Sequence, residues 1–337
     1  MERTGRNVLV TGGAGYIGSH ACKTLAAAGY VPVTFDSLVT GWQEAVRFGP
    51  FEPGDLSDRA RLDEVFARWQ PVAVMHFAAL SQVGESMSQP GRYWRANVLG
   101  TLNLIEAAVA AGCRDIVFSS TCATYGDHDG LLLDEDTPQR PLNAYGASKR
   151  AIEDMLRDFG ASHGVNAVIF RYFNVAGADP DGEIGEWHRP ETHLIPIILE
   201  VATGQRAALT IFGEDYATPD GTCIRDYIHV SDLVDAHVLG LRWLEDGRGS
   251  RVFCLGSGHG FSVREVVEEA RRVTGHAIPV AAAPRRAGDA ARLVCGSRRA
   301  VEELGWQPQR TDLASMIADA WRSPRGVEEF RLRLPAG

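Results

Sequence analysis

Short apolar runs recur through the first half of the chain, each followed by a stretch whose apolar positions return every three to four residues. The runs predict strands over 7–11, 31–35, 72–77, 115–119 and 167–172. The stretches between them predict helices over 15–28, 57–69, 91–112 and 145–162. Strands separated by helices pair in parallel, with helices on both faces. The first half therefore reads as an α/β, doubly wound parallel sheet, which binds ligands beyond the carboxyl ends of its strands. After about residue 175 the pattern changes. Residues 177–193 are rich in Gly, Pro, Asp and His and predict a long loop. Beyond it, helices are expected at 194–204, 232–245, 262–275, 297–304 and 311–322, with short strands near 209–212, 252–255 and 278–282. That half reads as a smaller mixed α/β unit.

Residues 11–18 read TGGAGYIG, between the run Val8–Leu9–Val10 and the helical pattern Ser19–Ala28. Gly13, Gly15 and Gly18 fit G-x-G-x-x-G, and Gly12, Gly15 and Gly18 fit the looser G-x-x-G-x-x-G. Glycines permit the tight turn and let a pyrophosphate approach backbone N–H groups at a helix N-terminus. The second run ends in Asp36, 18 residues past Gly18. A carboxylate there would accept from the adenosine ribose diol and repel a 2′-phosphate. No Arg or Lys lies between Asp36 and Arg47 to offset that repulsion, so NAD rather than NADP is the expected cofactor.

Composition narrows the partners. The chain has 337 residues, 45% hydrophobic and 23% charged, the profile of a globular protein of two domains or one elaborated domain. A formal net charge of −9 argues against nucleic acid but leaves room for a local basic pocket. The cysteines Cys22, Cys113, Cys122, Cys223, Cys254 and Cys295 form no C-x-x-C and have no nearby His at zinc-ligand spacing. Reduced thiols in a cytoplasmic protein, and no metal, are expected. The first strand starts within about seven residues of the N-terminus, so no signal peptide is expected. No apolar run approaches the roughly 20 residues that span a bilayer, so neither is a membrane partner.

The candidate chemistry lies in two motifs. Residues 145–149 read YGASK, and Tyr145 and Lys149 share one helical face. A tyrosine of ordinary pKa near 10 is a poor base; reaching roughly 7 takes about 4 kcal/mol of differential stabilisation. A nearby ammonium, or the charge of an oxidised nicotinamide, can supply it. The phenolate can then take a hydroxyl proton while hydride leaves the same carbon. Residues 118–126, FSSTCATYG, place Ser119, Ser120, Thr121 and Thr124 at a strand's carboxyl end, where one hydroxyl could bond the substrate oxygen. Elsewhere, Asp55 suits either an adenine contact or capping of the helix near Ser57. In HFAAL (76–80) the small Ala78 and Ala79 would let a cofactor lie close, while His76 reads as a satisfied core histidine. Asn97 suits packing or a cofactor contact.

In this order, TGGAGYIG, FSSTCATYG and YGASK resemble the extended short-chain dehydrogenase/reductase superfamily. HFAALSQVGES (76–86), RYFNVAGA (171–178), ETHLIP (191–196), IFGEDYATPDGTCIRDYIHV (211–230) and APRRAGD (283–289) narrow the resemblance to the UDP-glucose 4-epimerases, over nearly the whole chain. It implies a Rossmann-type NAD-binding domain over 1–176 plus about 228–257, and a UDP-sugar-binding domain over about 177–227 and 258–337. It implies hydride transfer from sugar C4 to resident NAD, a 4-keto sugar that turns about its link to the diphosphate, and return of the hydride to the other face. Tyr145 matches the catalytic base, Lys149 the lysine that tunes it and holds the nicotinamide ribose, and Thr121 the hydroxyl partner. Gly12, Gly15, Tyr16, Ile17, Gly18, Asp36, Ser37, Asp55, Leu56, Phe77, Ala78, Ala79, Ser81, Asn97, Tyr145, Lys149 and Phe173 match cofactor positions. Thr121, Tyr145, Asn174, His193, Leu194, Phe212, Arg225, Tyr227, Arg286 and Asp289 match the nucleotide-sugar set. The two arginines suit a diphosphate, which guanidinium forks bind bidentately. His229 reads as structural.

Three positions depart from common family variants. Ser81 stands where some members carry a cofactor-binding Lys. His193 replaces a frequent Asn, though both can donate to a phosphate. Leu293 falls where some members have a bulky aromatic near the sugar, which suggests a roomier pocket. The resemblance also implies a homodimer through a four-helix bundle of 91–112 and 145–162. Three other readings compete. Another UDP-sugar, N-acetylglucosamine or a pentose (xylose/arabinose), would use the same site. A 4,6-dehydratase needs acids beside the active-site hydroxyl, where Cys122 and Ala123 stand. A non-catalytic NAD-dependent sensor would not need Tyr145 and Lys149 together.

Overall fold

The computed structural model describes residues 6–128, 131–188, 191–286 and 289–323. Ala287 and Gly288 of the APRRAGD stretch, and the tail from residue 324, lie outside the described residues. In chain order the strands are β1 (Arg6–Thr11), β2 (Tyr30–Asp36), β3 (Phe51–Pro53), β4 (Ala73–His76), β5 (Asp115–Ser119), β6 (Leu132–Leu133), β7 (Asn166–Tyr172), β8 (Asn174–Ala176), β9 (Leu209–Phe212), β10 (Ile224–His229), β11 (Arg251–Leu255), β12 (Gly260–Ser262), β13 (Val280–Ala283) and β14 (Arg292–Cys295). The helices are α1 (Tyr16–Ala27), α2 (Arg59–Trp69), α3 (Val83–Ser88), α4 (Pro90–Tyr93), α5 (Gly100–Ala110), α6 (Ala144–His163), α7 (Leu194–Ala202), α8 (Val230–Glu245), α9 (Val263–Thr274) and α10 (Leu313–Arg322).

Seven parallel strands form the main sheet, in the order β11-β7-β5-β4-β1-β2-β3. Successive residues of a strand point to opposite faces, and both faces are covered. Val8 and Val10 join Met75, Val117 and Phe170 under α1 and α8. Leu9 joins Val33, Val74, Ile116 and Phe118 under α2, α5 and α6. This is why the strands read as continuous apolar runs. The strand order reverses between β1 and β4, so a crevice opens where their carboxyl ends part.

The second lobe is built on β10. Its first half pairs antiparallel with β12 and parallel with β14, and its second half pairs parallel with β8. β6 extends this sheet beyond β14, and β9 and β13 form a separate parallel pair. A third core gathers α7, α9 and α10 around Ile198, Ile211, Val266 and Ile317. Two short segments cross between the lobes. Leu132–Leu133 leaves the first half of the chain to pair with β14. Ala300, Leu304 and Trp306 return to the core under β1.

Two local differences from the sequence pattern have identifiable causes. The helix expected over 91–112 is three consecutive pieces, α4, a π-helical turn at Trp94–Leu99 and α5, with buried Asn97 in the wide turn. Asn97 accepts from Leu80 N at 2.8 Å and donates to Leu80 O and to Ser148 Oγ, both at 3.0 Å. A π turn of this kind is frequent where a side chain must be presented to a site. β10 was missed because its buried face includes Asp226, which breaks the apolar alternation. That carboxylate accepts from Ser257 N at 2.9 Å and Cys295 N at 3.2 Å, so it serves to tie β10 to its neighbours.

α8 follows β10 directly and packs under the main sheet, with Leu233 fully buried there. Leu233→Ala should therefore destabilise the main lobe by about 2–5 kcal/mol. Urea unfolding followed by circular dichroism should show the lower midpoint.

Candidate active site

The glycine loop sits in the crevice. Gly12 closes β1 with φ +73°, and a Cβ there would meet Ala78 N at 2.6 Å. A Cβ on Gly18 would collide with the carbonyl of Gly12. The loop, the start of α1 and the segment after β4 thus lie as close as backbone allows, leaving a cradle for a diphosphate at a helix N-terminus. Tyr16 is buried and its hydroxyl donates to Gly177 O at 2.6 Å, so its side chain ties α1 to the second lobe. Ile17 packs into the core under β1. Asp36 ends β2 and accepts from Ala14 N at 3.0 Å and Leu38 N at 2.8 Å. Burial raises its pKa, and these backbone donors oppose the rise.

Other expected cofactor positions line the same edge. Asp55 accepts from Ser57 N and Ser57 Oγ, while Asp58 caps α2, which begins at Arg59. Asp55 is therefore not the helix cap. Leu56 is buried under α5. Phe77 N and Ala78 N both donate to Thr11 O, which fixes the segment running to Ala79. Asn97, bonded to Leu80, pins the continuation of that segment ahead of exposed Ser81. His76 is a core histidine, with Thr11 Oγ1 2.6 Å from Nδ1 and Thr101 Oγ1 2.8 Å from Nε2. Burial, then the charge of Lys149, push its pKa down to about 3. His229 is also structural: its Nδ1 caps α8 by accepting from Ser231 N.

The two chemical motifs meet at the carboxyl end of β5. Asn143 caps α6 by accepting from Gly146 N at 2.8 Å. Gly146 lets α6 touch the Thr121 loop, because a Cβ there would strike Ala123 O. That contact brings the half-buried Tyr145 close enough to Thr121 for the hydroxyl to lower its pKa. One turn along, buried Lys149 donates to Ser119 O at 2.8 Å, with its ammonium 4.8 Å from the Phe118 ring centre. Burial raises Tyr145 to about 12, against the lowering by the Thr121 hydroxyl. Burial lowers Lys149 to about 7, against the raising by Glu153. With the protein's own groups alone, burial holds Tyr145 protonated at neutral pH and favours loss of the Lys149 proton.

In the second lobe, several of the expected nucleotide-sugar positions meet in pairs. Asn174 and Tyr227 are register partners on β8 and β10. Arg225 donates to Ile224 O and Ala290 O, both at 2.9 Å, and its other arm lies 3.6 Å from Asp289. Arg286 lies over the Phe212 ring, 3.9 Å from its centre. His193 is the residue before α7, and Leu194 opens that helix. Phe173 and Leu293 pack on a buried group of Cys122, Tyr125, Leu133, Cys254 and Cys295. Sequence reasoning missed one cluster, in which His188 and His193 face Glu186 and Glu191. Burial disfavours the charged form of His188, but the two carboxylates override it and raise the pKa to about 10.

Residues 8–256 match the family described as NAD dependent epimerase/dehydratase. The chain belongs to that family. Within it, this epimerase is 50% identical over 315 residues to the UDP-glucose 4-epimerase of Rhizobium meliloti, covering 94% of this chain and 96% of the relative. The UDP-glucose 4-epimerase of Brucella ovis, solved in complex with NAD, superposes with a TM-score of 0.92 at 48% identity, covering 95% of this chain and 98% of that one. The UDP-Glc/GlcNAc 4-epimerase of Campylobacter jejuni superposes with a TM-score of 0.83 at 40% identity, covering 96% and 100%. The epimerase is thus an NAD-dependent isomerase with a Rossmann-type sheet, on the UDP-glucose 4-epimerase branch of the extended short-chain dehydrogenase/reductases. The glycine cradle and the small Ala78 and Ala79 fit that cofactor. No helix among the described residues is long and apolar enough to cross a membrane.

The low pKa of Lys149 predicts a pH effect on stability. Between about 7 and 10.5 the unfolded chain holds a proton on this amine that the folded chain has released. Stability measured without NAD should therefore rise with pH across that window. In Lys149→Met that component of the rise should vanish, as urea midpoints at pH 6.5 and 9.5 would reveal.

Proposed function

We propose that this chain interconverts UDP-glucose and UDP-galactose by inverting sugar C4, with Tyr145 as the group that takes and returns the hydroxyl proton. The observation that carries the reading is the meeting of Tyr145, Thr121 and Lys149 at the carboxyl end of β5, beside the glycine cradle. Bound NAD would supply the chemistry of accepting a hydride from C4 and giving it back. Gly12, Gly15, Gly18 and the N–H groups opening α1 would hold its diphosphate, and Asp36 its adenosine ribose. Ser37, Asp55, Leu56, Phe77, Ala78, Ala79 and Ser81 would border the remainder.

Tyr145 needs its pKa brought down from about 12, and Lys149 is one turn away to do so. A positive cofactor ring nearby would add to that lowering. Thr121 would accept the proton of the sugar hydroxyl while donating its own to Tyr145, and the relay would run in reverse when the keto sugar is reduced. Arg225 and Arg286 would clamp the diphosphate, with Asp289 and Phe212 orienting the two guanidiniums. Asn174, His193, Leu194 and Tyr227 would complete the nucleotide-sugar wall. Leu293 beside this wall supports a pocket that also admits UDP-N-acetylglucosamine or a UDP-pentose. Exposed Met87, Trp94 and Leu99, 53%, 43% and 48% accessible, support a homodimer packed along this helical run. We place the enzyme in the cytoplasm, in galactose metabolism.

Tyr145→Phe should lower conversion of UDP-glucose about 10²–10⁴-fold while NAD stays bound. Wild-type turnover in that variant would remove Tyr145 from the mechanism. The wild-type enzyme should also epimerise UDP-N-acetylglucosamine. Leu293→Tyr should suppress that conversion more than the reaction of UDP-glucose, as product chromatography with both sugars would measure.

A further inference from the structure

Glu186, His188, Glu191 and His193 lie in the segment between β8 and α7, and their donor atoms all fall within 4.8 Å of one another. His188 Nδ1 is 3.3 Å from Glu186 Oε1 and 3.7 Å from Glu191 Oε2. His193 Nδ1 is 2.6 Å from Glu186 Oε1 and 3.6 Å from Glu191 Oε1. Ligands of a tetrahedral zinc with bonds of 2.0–2.1 Å stand about 3.3 Å apart. Three of these separations approach that edge. A second observation concerns hydrogen bonding. Among the described residues, buried Glu186 Oε1 and His188 Nδ1 have no hydrogen-bond partner, close as they are. The Glu186 side chain is only 7% exposed. Glu186 Oε1 is thus crowded by two ring nitrogens, 2.6 Å from His193 Nδ1 and 3.3 Å from His188 Nδ1, in ion pairs that lack a well-directed hydrogen bond and whose atoms could close on one ion instead.

We propose that these four side chains form a binding site for a zinc-type divalent metal ion. Two imidazoles and two carboxylates suit that class of ion, and the carboxylates balance its charge. The other acidic cluster, Asp179, Asp181 and Glu183, is different: Lys23 lies 2.7–2.8 Å from all three and already neutralises part of it. The ion would clasp the segment before α7 against α1, since the His188 ring stands edge-on to Tyr16 at 6.4 Å and to His193 at 5.0 Å. Metal on Nδ1 of His193 leaves its Nε2–H as a donor, the tautomer that a diphosphate contact requires. That consequence rests on the epimerase reading; the site itself does not.

The test uses the untagged full chain, stripped of metal with a chelator and titrated with zinc chloride by calorimetry. Metal content is read in parallel by mass spectrometry. One ion per chain is expected, with affinity at least about 100-fold weaker in Glu186→Gln and His188→Gln and unchanged in Asp181→Asn. Cobalt(II) in the wild-type chain should give the intense visible absorption of a four-coordinate site, a readout that stands even if a variant fails to fold. No saturable zinc binding, full-strength binding in both variants, or only a weak six-coordinate cobalt spectrum would overturn the proposal. An active chain that binds no zinc sinks this site alone, and a zinc-binding chain without turnover sinks the epimerase reading alone.

Discussion

A buried amine with no carboxylate of its own governs the architecture of this site. Lys149 is almost fully enclosed and donates to a neutral carbonyl, Ser119 O. The acid one turn further along α6, Glu153, is engaged with Arg171, whose guanidinium reaches both of its oxygens and also Tyr125. Glu153 therefore raises Lys149 only partly against burial. An amine fully neutralised by a salt bridge would have little field left for its neighbours. Here the charge is kept available on the face of α6 that carries Tyr145, and a buried ion pair beneath supports the helix.

The main sheet and its glycine turn were legible because their physics is local. Strands buried on both faces are apolar throughout, and a backbone that must pass within van der Waals contact of another has glycine there, as at Gly12 and Gly18. That Tyr145 and Lys149 share one helix was legible from their spacing, while the roles proposed for them came from the accompanying motifs and the family resemblance. The second lobe was less so. β6, β8, β12 and β14 are two to four residues long, too short for a period to declare itself. β10 carries a buried Asp226 whose partners come from elsewhere in the chain, Ser257 and Cys295.

The site also holds information that motif matching does not carry. Asp55 was a candidate for either an adenine contact or the helix cap, and Asp58 takes the capping task. Asn97 was left open between packing and ligand, and its side chain is committed to Leu80 and Ser148. The protonation states also differ from the bare motif. Spacing places the phenol and the amine together, but burial sets Tyr145 high and Lys149 low. The motif specifies proximity, and the enclosure determines how far the cofactor must shift the equilibrium.

The division of β10 has mechanical meaning. Half of this strand is stitched to β12 and β14, half to β8, and it then enters α8 beneath the main sheet without an intervening linker. β8 in turn follows β7 after a single residue. The lobes are thus spliced by continuous hydrogen-bonded ribbon rather than joined by a pliant tether. Wide swinging of one against the other would tear ladder bonds. In the proposed reaction a sugar that must present both faces would therefore have to turn with little help from movement of one lobe against the other.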